Sequence, residues 1–441
     1  MGADWPDNFV WGVSTSSYQI EGAVRDEGRG PSIWDTRCHM QGKIANGDTG
    51  DVACDHYHRY GEDIGLMRQL GIGAYRFSVA WPRVMPRGRG AVNEPGLAFY
   101  DRLVDALLEA KIEPWLCLYH WDLPQALDDL GGWTNRDCAY WYADYAAVIA
   151  RRLGDRVKRF ATFNEFSVFT LFGYAIDWGA PGITDRAAHL KAIHHVNLAH
   201  GLGVDVLREL VPGASIGAIH NRQKVEPASP SDADRAAARL LDAHWNLAFP
   251  EPQLEGAYPA LLADAIEPYI QAGDLARINR RLDWFGLNHY GPIFARADAG
   301  WIWGYAWADA PQSAPHTDIG WAIFPDAFAE ELLGLTQRYG LPIYVTENGS
   351  GGQDKPDASG AVADPSRVAY LKAYIGAMQR AIAQGADVRG YFVWSLLDNF
   401  EWGSGYANRF GLVHVDFATQ KRTPKTSFAW YRDLIAGKPA L

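Results

Sequence analysis

Two stretches of the chain end an apolar run on a glutamate, Thr162-Phe163-Asn164-Glu165 and Val345-Thr346-Glu347-Asn348-Gly349. A carboxylate placed where strand gives way to loop is costly to desolvate unless a cation answers it or chemistry uses it. Arg76, in Tyr75-Arg76-Phe77-Ser78, lies inside another apolar run and is the cation that a purely structural ion pair would need. The chemical alternative is specific. Two carboxyl groups facing each other across a sugar bond are what glycoside hydrolysis requires, one neutral to protonate the departing oxygen and one ionised to attack the anomeric carbon. A cation such as Arg76 favours the ionised form of one, and an apolar setting favours the neutral form of the other. Phe163 and Phe166 flank Glu165, which makes it the expected acid and leaves Glu347 as the expected nucleophile. A retaining reaction places the two groups about 5–5.5 Å apart, an inverting one roughly 6.5–9.5 Å.

Reactive residues at strand ends imply a scaffold that gathers strand ends together. Short runs rich in Val, Ile, Phe and Tyr recur at residues 9–14, 74–80, 113–120, 159–164, 215–220, 284–289, 342–346 and 388–394. Each is followed by a segment of helical spacing. Tyr100, Leu103, Val104 and Leu107 fall on one helical face, as do Phe328, Leu332, Leu335 and Tyr339, and Val368, Leu371, Ile375, Met378 and Ile382; these are core stripes. Strands alternating with helices in an unbroken series give a parallel sheet, and eight of them predict an α/β fold closed into a (β/α)8 TIM barrel with long βα loops. No linker or low-complexity stretch divides the chain, so residues 1–441 read as one catalytic domain. The stretch 291–318 reads as a long loop carrying Trp301, Trp303, Tyr305 and Trp307, placed to frame a pocket entrance.

Composition narrows the ligand. The formal net charge of -11 gives no electrostatic footprint for nucleic acid or anionic lipid. Eighteen Trp are a large supply of flat faces for the C–H-rich sides of sugars, although large cores also use Trp. The four cysteines, Cys38, Cys54, Cys117 and Cys138, show no C-x-x-C spacing and are expected to be reduced and structural. The opening Met-Gly-Ala-Asp-Trp-Pro has neither a basic n-region nor an apolar h-region, and Pro6 breaks the myristoylation pattern, so a cytoplasmic location without membrane attachment is expected. His56 and His58 form an H-x-H pair, but in a helical segment residues two apart point to different sides, so a metal is not expected there. His194 and His195 read as packing. Glycines 349, 351, 352 and 360 suggest mobility after the seventh strand without a phosphate-binding fingerprint, and no cofactor is expected.

The motifs taken together resemble family 1 glycoside hydrolases, the β-glucosidase group: residues 11–22 (WGVSTSSYQIEG), 76–83 (RFSVAWPR), 119–125 (YHWDLPQ), 162–165 (TFNE), 344–349 (YVTENG) and 394–402 (WSLLDNFEW) occur in the family's order. The resemblance implies a retaining, exo-acting β-glycosidase, with β-glucosidase the expected activity and a small-molecule β-glycoside as partner. It implies Glu165 as acid/base and Glu347 as nucleophile, Arg76 and Tyr290 orienting Glu347, and Asn164 holding the sugar 2-hydroxyl. It also implies Gln19, His120, Glu401 and Trp402 gripping the remaining hydroxyls, Trp394 under the ring and Phe410 in the pocket wall. Glu401 distinguishes the branch, because a carboxylate there repels a sugar phosphate. One departure stands out: the family continues Pro-Trp after the acid/base, and this chain has Phe166-Ser167. Trp178 and the Trp-rich stretch 301–307 are the candidates to replace the missing aromatic. A transglycosylase using the same intermediate and a catalytically silent carbohydrate-binding barrel are the alternatives; self-association is left open.

Overall fold

The computed structural model describes residues 5–438. The Met-Gly start lies outside the described residues. Eight parallel strands close into a barrel: β1 (Val10–Ser14), β2 (Ala74–Ser78), β3 (Glu113–Cys117), β4 (Arg159–Asn164), β5 (Ser215–Asn221), β6 (Trp284–Asn288), β7 (Ile343–Asn348) and β8 (Val388–Trp394). Each pairs with its neighbours in sequence, and β8 returns to β1 in a ladder from Val10↔Gly390 to Ser14↔Trp394. The runs read from the sequence fall on these strands, differing by a few residues at their ends.

Around the barrel lie α1 (His56–Leu70), α2 (Glu94–Glu109), α3 (Asp137–Leu153), α4 (Arg186–Leu210), α5 (Asp232–Asp242), α6 (Pro325–Tyr339), α7 (Pro365–Ala383) and α8 (Thr426–Ile435). The stripes expected from periodicity face inward: Tyr100, Leu103, Val104 and Leu107 of α2, and Leu371, Ile375 and Met378 of α7, are buried. Local chemistry sets the ends. Asp185 caps α4 by accepting from Ala188 N at 2.7 Å, proline opens α2, α6 and α7 where an N–H would be unpaired anyway, and α1 stops on Gly71 at φ +79°.

The lower half of the barrel interior is a plug of side chains. Trp115 touches the rings of Trp284, Tyr344 and Phe392 at centroid distances of 5.3, 4.7 and 5.1 Å. Bulky rings from some strands demand small residues on their neighbours. A Cβ on Gly217 would lie 2.3 Å from Trp284, and one on Gly12 2.4 Å from Phe392. This packed floor closes one end and leaves the other for polar groups.

Strands β4 and β7 depart from strict alternation just before their glutamates. The ladder of β4 with β5 shifts register between Ala161 and Asn164, and that of β7 with β6 between Val345 and Glu347. An inserted residue re-aims the side chains beyond it. In β4 it lets both Thr162 and Phe163 face the helices, Thr162 bonding His200 of α4 at 2.7 Å and Phe163 stacking on Tyr142 of α3 at 4.5 Å, so that Asn164 turns into the barrel.

The stretch 291–318 is not the loop its sequence suggests. It contains Ile293–Ala297 and Tyr305–Ala308, paired antiparallel and joined by Val225–Pro227 in a small sheet at the barrel mouth. Backbone pairing there is carried by residues too few to show a period. Two of the glycines after β7 serve packing, a Cβ on Gly349 lying 1.9 Å from the Trp394 carbonyl oxygen and one on Gly351 2.8–3.0 Å from Ile319 and Phe410, whereas Gly360 sits at φ +85° with open space around it. Among the described residues no helix is long and apolar enough to cross a membrane.

Candidate active site

Glu165 is the first residue past β4 and caps the helix Phe166–Tyr174 in a left-handed conformation, φ 53° and ψ 61°. A non-glycine residue held there is strained, and such strain persists where surroundings over-determine it. Its backbone N–H donates to the Ile219 carbonyl at 2.9 Å, and its Oε1 accepts from Asn221 Nδ2 at 2.7 Å and Asn288 Nδ2 at 3.0 Å. Glu347, near the end of β7, has different company. Arg76 Nη1 donates to its Oε1 at 2.5 Å and the Tyr290 hydroxyl to its Oε2 at 2.7 Å. Both glutamates are about as buried as core residues, 5% and 3% exposed.

Those neighbours divide the pair electrostatically. Burial, and then the charge of Glu347, push the Glu165 carboxyl up to about 8, and the two amide donors only partly offset this. Burial raises Glu347 too, but the Arg76 charge and bond and the Tyr290 hydroxyl pull the other way. A full cation at contact distance outweighs neutral amides, so Glu347 is the member of the pair that ionises first. Asn288 donates to Glu165 and also favours the ionised form of Glu347, so one amide serves both carboxyls. The arrangement favours the proton on Glu165 and the negative charge on Glu347.

Other expected residues converge on the same place. Asn164 Oδ1 accepts from Arg76 Nη2 at 2.5 Å, and its Nδ2 lies 3.1 Å from His120 Nε2. Burial and the nearby Arg76 hold His120 well below its ordinary value, so the ring is neutral. Gln19 Nε2 donates to Asn399 Oδ1 at 2.9 Å and approaches Glu401 Oε2 at 3.4 Å, while Trp394 Nε1 reaches Glu401 Oε1 at 3.3 Å. Trp402 stacks on Trp121 at 4.6 Å. His120, Glu165, Tyr290, Glu347, Trp394, Glu401, Trp402 and Phe410 all border one cavity of about 790 Å³. Arg76, Asn164 and Gln19 reach it through Glu347, His120 and Glu401.

One expected residue has a perturbed carboxyl. Burial pushes Glu401 up to about 8 against the Trp394 and Asn399 donors. That favours the protonated form of Glu401, and hydroxyl donors from a sugar would draw it toward its anion. Sequence reasoning does not single out Asn221, Gln223, Asn288 or Trp121. Asn221 and Asn288 end β5 and β6, so the rule that singles out the glutamates would find them if extended to amides. Outside the cavity, His56 bonds Asp63 at 2.8 Å, and His194 spans Tyr258 and Asp274, each at 2.9 Å. Phe166 packs on His200, His220 and Phe249, while Trp178 and Trp307 border the cavity and Trp303 and Tyr305 contact His244.

A model of the family described as "Glycosyl hydrolase family 1" matches residues 1–439. The chain belongs to glycosyl hydrolase family 1. Among its relatives, β-glucosidase A of Thermotoga maritima is 43% identical over 98% of this chain and 97% of its own. A β-glucosidase of Agrobacterium sp. is 44% identical over 100% and 97%. The solved structure of the Thermotoga maritima β-glucosidase in complex with glucoimidazole superposes with a TM-score of 0.93 at 42% identity, covering 98% of this chain and 99% of that one. Family membership makes this chain a glycoside hydrolase on the TIM barrel seen here.

Proposed function

We propose that this family 1 enzyme is an exo-acting β-glucosidase that hydrolyses terminal, unphosphorylated β-linked glucose with retention, by double displacement. The observation that carries the reading is the division of the buried pair, with Glu347 held by Arg76 and Tyr290 and Glu165 held by amides alone.

In the first step Glu347 attacks the anomeric carbon while Glu165 gives its proton to the departing oxygen. A glycosyl ester forms on Glu347 and the aglycone leaves as an alcohol. Glu165, now anionic, takes a proton from water, whose oxygen displaces Glu347 and restores both carboxyls to their starting states. Arg76 and Tyr290 keep Glu347 ionised and aimed. Asn164 donates from its Nδ2 to the sugar 2-hydroxyl oxygen, a bond that strengthens in the transition state, and because Arg76 and Asn288 already hold its Oδ1 no reorganisation accompanies it. Gln19, His120, Glu401 and Trp402 grip the outer hydroxyls, Trp394 lies under the ring and Phe410 closes the wall. No cofactor takes part.

The test is covalent. A 2-fluoro-2-deoxyglucoside with a good leaving group should inactivate the enzyme, with the adduct on Glu347 by peptide mass spectrometry. Glu347→Ala should show no turnover. Glu165→Ala should retain substrates whose leaving group needs no proton and respond to azide by forming a β-glucosyl azide. An adduct on any other residue defeats the assignment.

A further inference from the structure

The cavity continues well past the room one hexose needs. At about 790 Å³ it is in the range, roughly 300–1,000 Å³, that encloses a drug-sized molecule. Its inner part is polar and holds the carboxyls. Its outer part is bordered by a continuous aromatic ledge. Phe172 sits at the centre, with ring centroids 5.4 Å from Trp178, 5.8 Å from Trp245 and 6.0 Å from Trp307. Trp178 and Trp307 are 5.2 Å apart, and Trp301 packs edge-on against Trp178 at 5.4 Å.

The ledge has a defined relation to the chemistry. The helix capped by Glu165 presents Val168, Phe169 and Phe172 to the cavity, one face at i, i+1 and i+4. The group that protonates the leaving oxygen thus caps the helix that carries Phe172, the ring at the centre of the ledge, so a leaving group extends from the one toward the other. Trp178 is delivered by the turn after that helix, and Trp301 and Trp307 by the antiparallel pair at the barrel mouth. The Phe166-Ser167 pair contributes no ring here, since Phe166 is turned onto His200 and His220.

Two of the polar side chains beside the ledge are already committed. Trp245 Nε1 and Gln223 Nε2 both donate to Asn221 Oδ1, at 3.2 and 2.7 Å, and Gln223 Oε1 accepts from the Tyr290 and Gly291 backbones at 3.3 and 3.0 Å. Against the ring faces themselves a hydroxylated leaving group gives up water without gaining a partner, whereas a flat apolar one forfeits nothing. Trp178 is 48% exposed although its neighbours pack, so it carries apolar area that a ligand can cover. The lining includes no lysine or arginine among the described residues, so nothing there recruits an anionic leaving group.

We infer that the preferred leaving groups are uncharged fused-ring aromatic alcohols, and that Trp178 is the specificity-determining residue that reads them. The inference rests on the β-glucosidase reading. The experiment compares phenyl and 2-naphthyl β-D-glucosides, whose leaving groups are of similar acidity and differ by one fused ring. Wild type should favour the naphthyl substrate in kcat/KM. Trp178→Ala should lose about two- to tenfold of that preference, the worth of one aromatic contact. Trp178→Phe should keep most of it, with melting temperatures confirming that both variants fold. Equal kcat/KM for the two substrates in wild type, or a preference untouched in Trp178→Ala, overturns the inference while leaving the β-glucosidase reading intact. Failure of wild type to cleave any β-glucoside overturns both.

Discussion

Arg76 and Glu347 meet as an ion pair, Nη1 to Oε1 at 2.5 Å, with 2% and 3% of their side chains exposed. Removing the cation strands a buried carboxylate, which costs about 3–5 kcal/mol of stability. Arg76→Met should therefore lower the melting temperature, and kcat/KM should fall about 10²–10³-fold as a preorganised charge is lost. Without its cation Glu347 ionises at higher pH, so the acid limb of the pH–rate profile should move upward. Arg76→Lys keeps the charge but not the second nitrogen that bonds Asn164, and should fall between the two. An acid limb unmoved in Arg76→Met would show that Glu347 does not depend on this cation.

In the proposed mechanism Glu165 gives the alkaline limb. Burial and the charge of Glu347 hold its carboxyl at about 8, so it carries a proton below that pH and loses it above. kcat/KM for an aryl glucoside with a poor leaving group should decline as pH rises through about 8, reporting the coupled pair. A 2,4-dinitrophenyl glucoside needs no protonation and should lack that limb.

The same raised value makes a stability prediction. The unfolded carboxyl ionises near ~4.3, so between about 4 and about 8 the native state holds the extra proton and stability falls as pH rises. Glu165→Gln cannot ionise. Its melting temperature relative to wild type should therefore rise from pH 4 to pH 8, and a difference that does not vary with pH would contradict the assigned protonation.

Lys425 is a wholly buried ammonium between Asp354 at 2.6 Å and Asp398 at 2.7 Å, with Arg367 and Arg409 completing the cluster. Asp398 begins the loop that ends on Glu401 and Trp402. Lys425→Met should cost about 3–5 kcal/mol in denaturant unfolding. It should also raise KM more than it lowers kcat, because it loosens the loop to which the proposed function assigns the hydroxyl contacts and not the carboxyl pair.

The barrel and its two glutamates were legible because a βα series leaves a strong signal: apolar runs such as 159–164, then helical spacing, with carboxylates stranded at strand ends. The features that stayed hidden depend on contacts distant in sequence. The register shift before Asn164 exists only in the pairing of β4 with β5. Asn288 reads as an ordinary strand end until it is seen bonding Glu165. Phe166 is expected beside the acid, and does flank it, yet its ring turns to His220, which no local pattern records. The upward shift of the Glu401 carboxyl likewise comes from surroundings that many segments build together.

The proposed function makes Glu401 the residue that separates plain from phosphorylated sugars. Its oxygens face Gln19 and Trp394 and await hydroxyl donors, and the cavity lining contains no lysine or arginine among the described residues to receive a phosphate. A phosphate dianion would enter a buried site already holding Glu347 as an anion, and like-charge juxtaposition costs several kcal/mol. kcat/KM for an aryl 6-phospho-β-glucoside should be roughly 10³-fold or more below that for the plain glucoside, since each 1.4 kcal/mol is tenfold. Glu401→Gln should lower activity on the plain glucoside about 10–10²-fold by weakening charge-assisted bonds to two hydroxyls. It should not create phospho-glucosidase activity, because removing a repulsion supplies no cation. Efficient cleavage of the phosphorylated substrate by either form would mean that the lining accepts an anion through groups other than those that face it here.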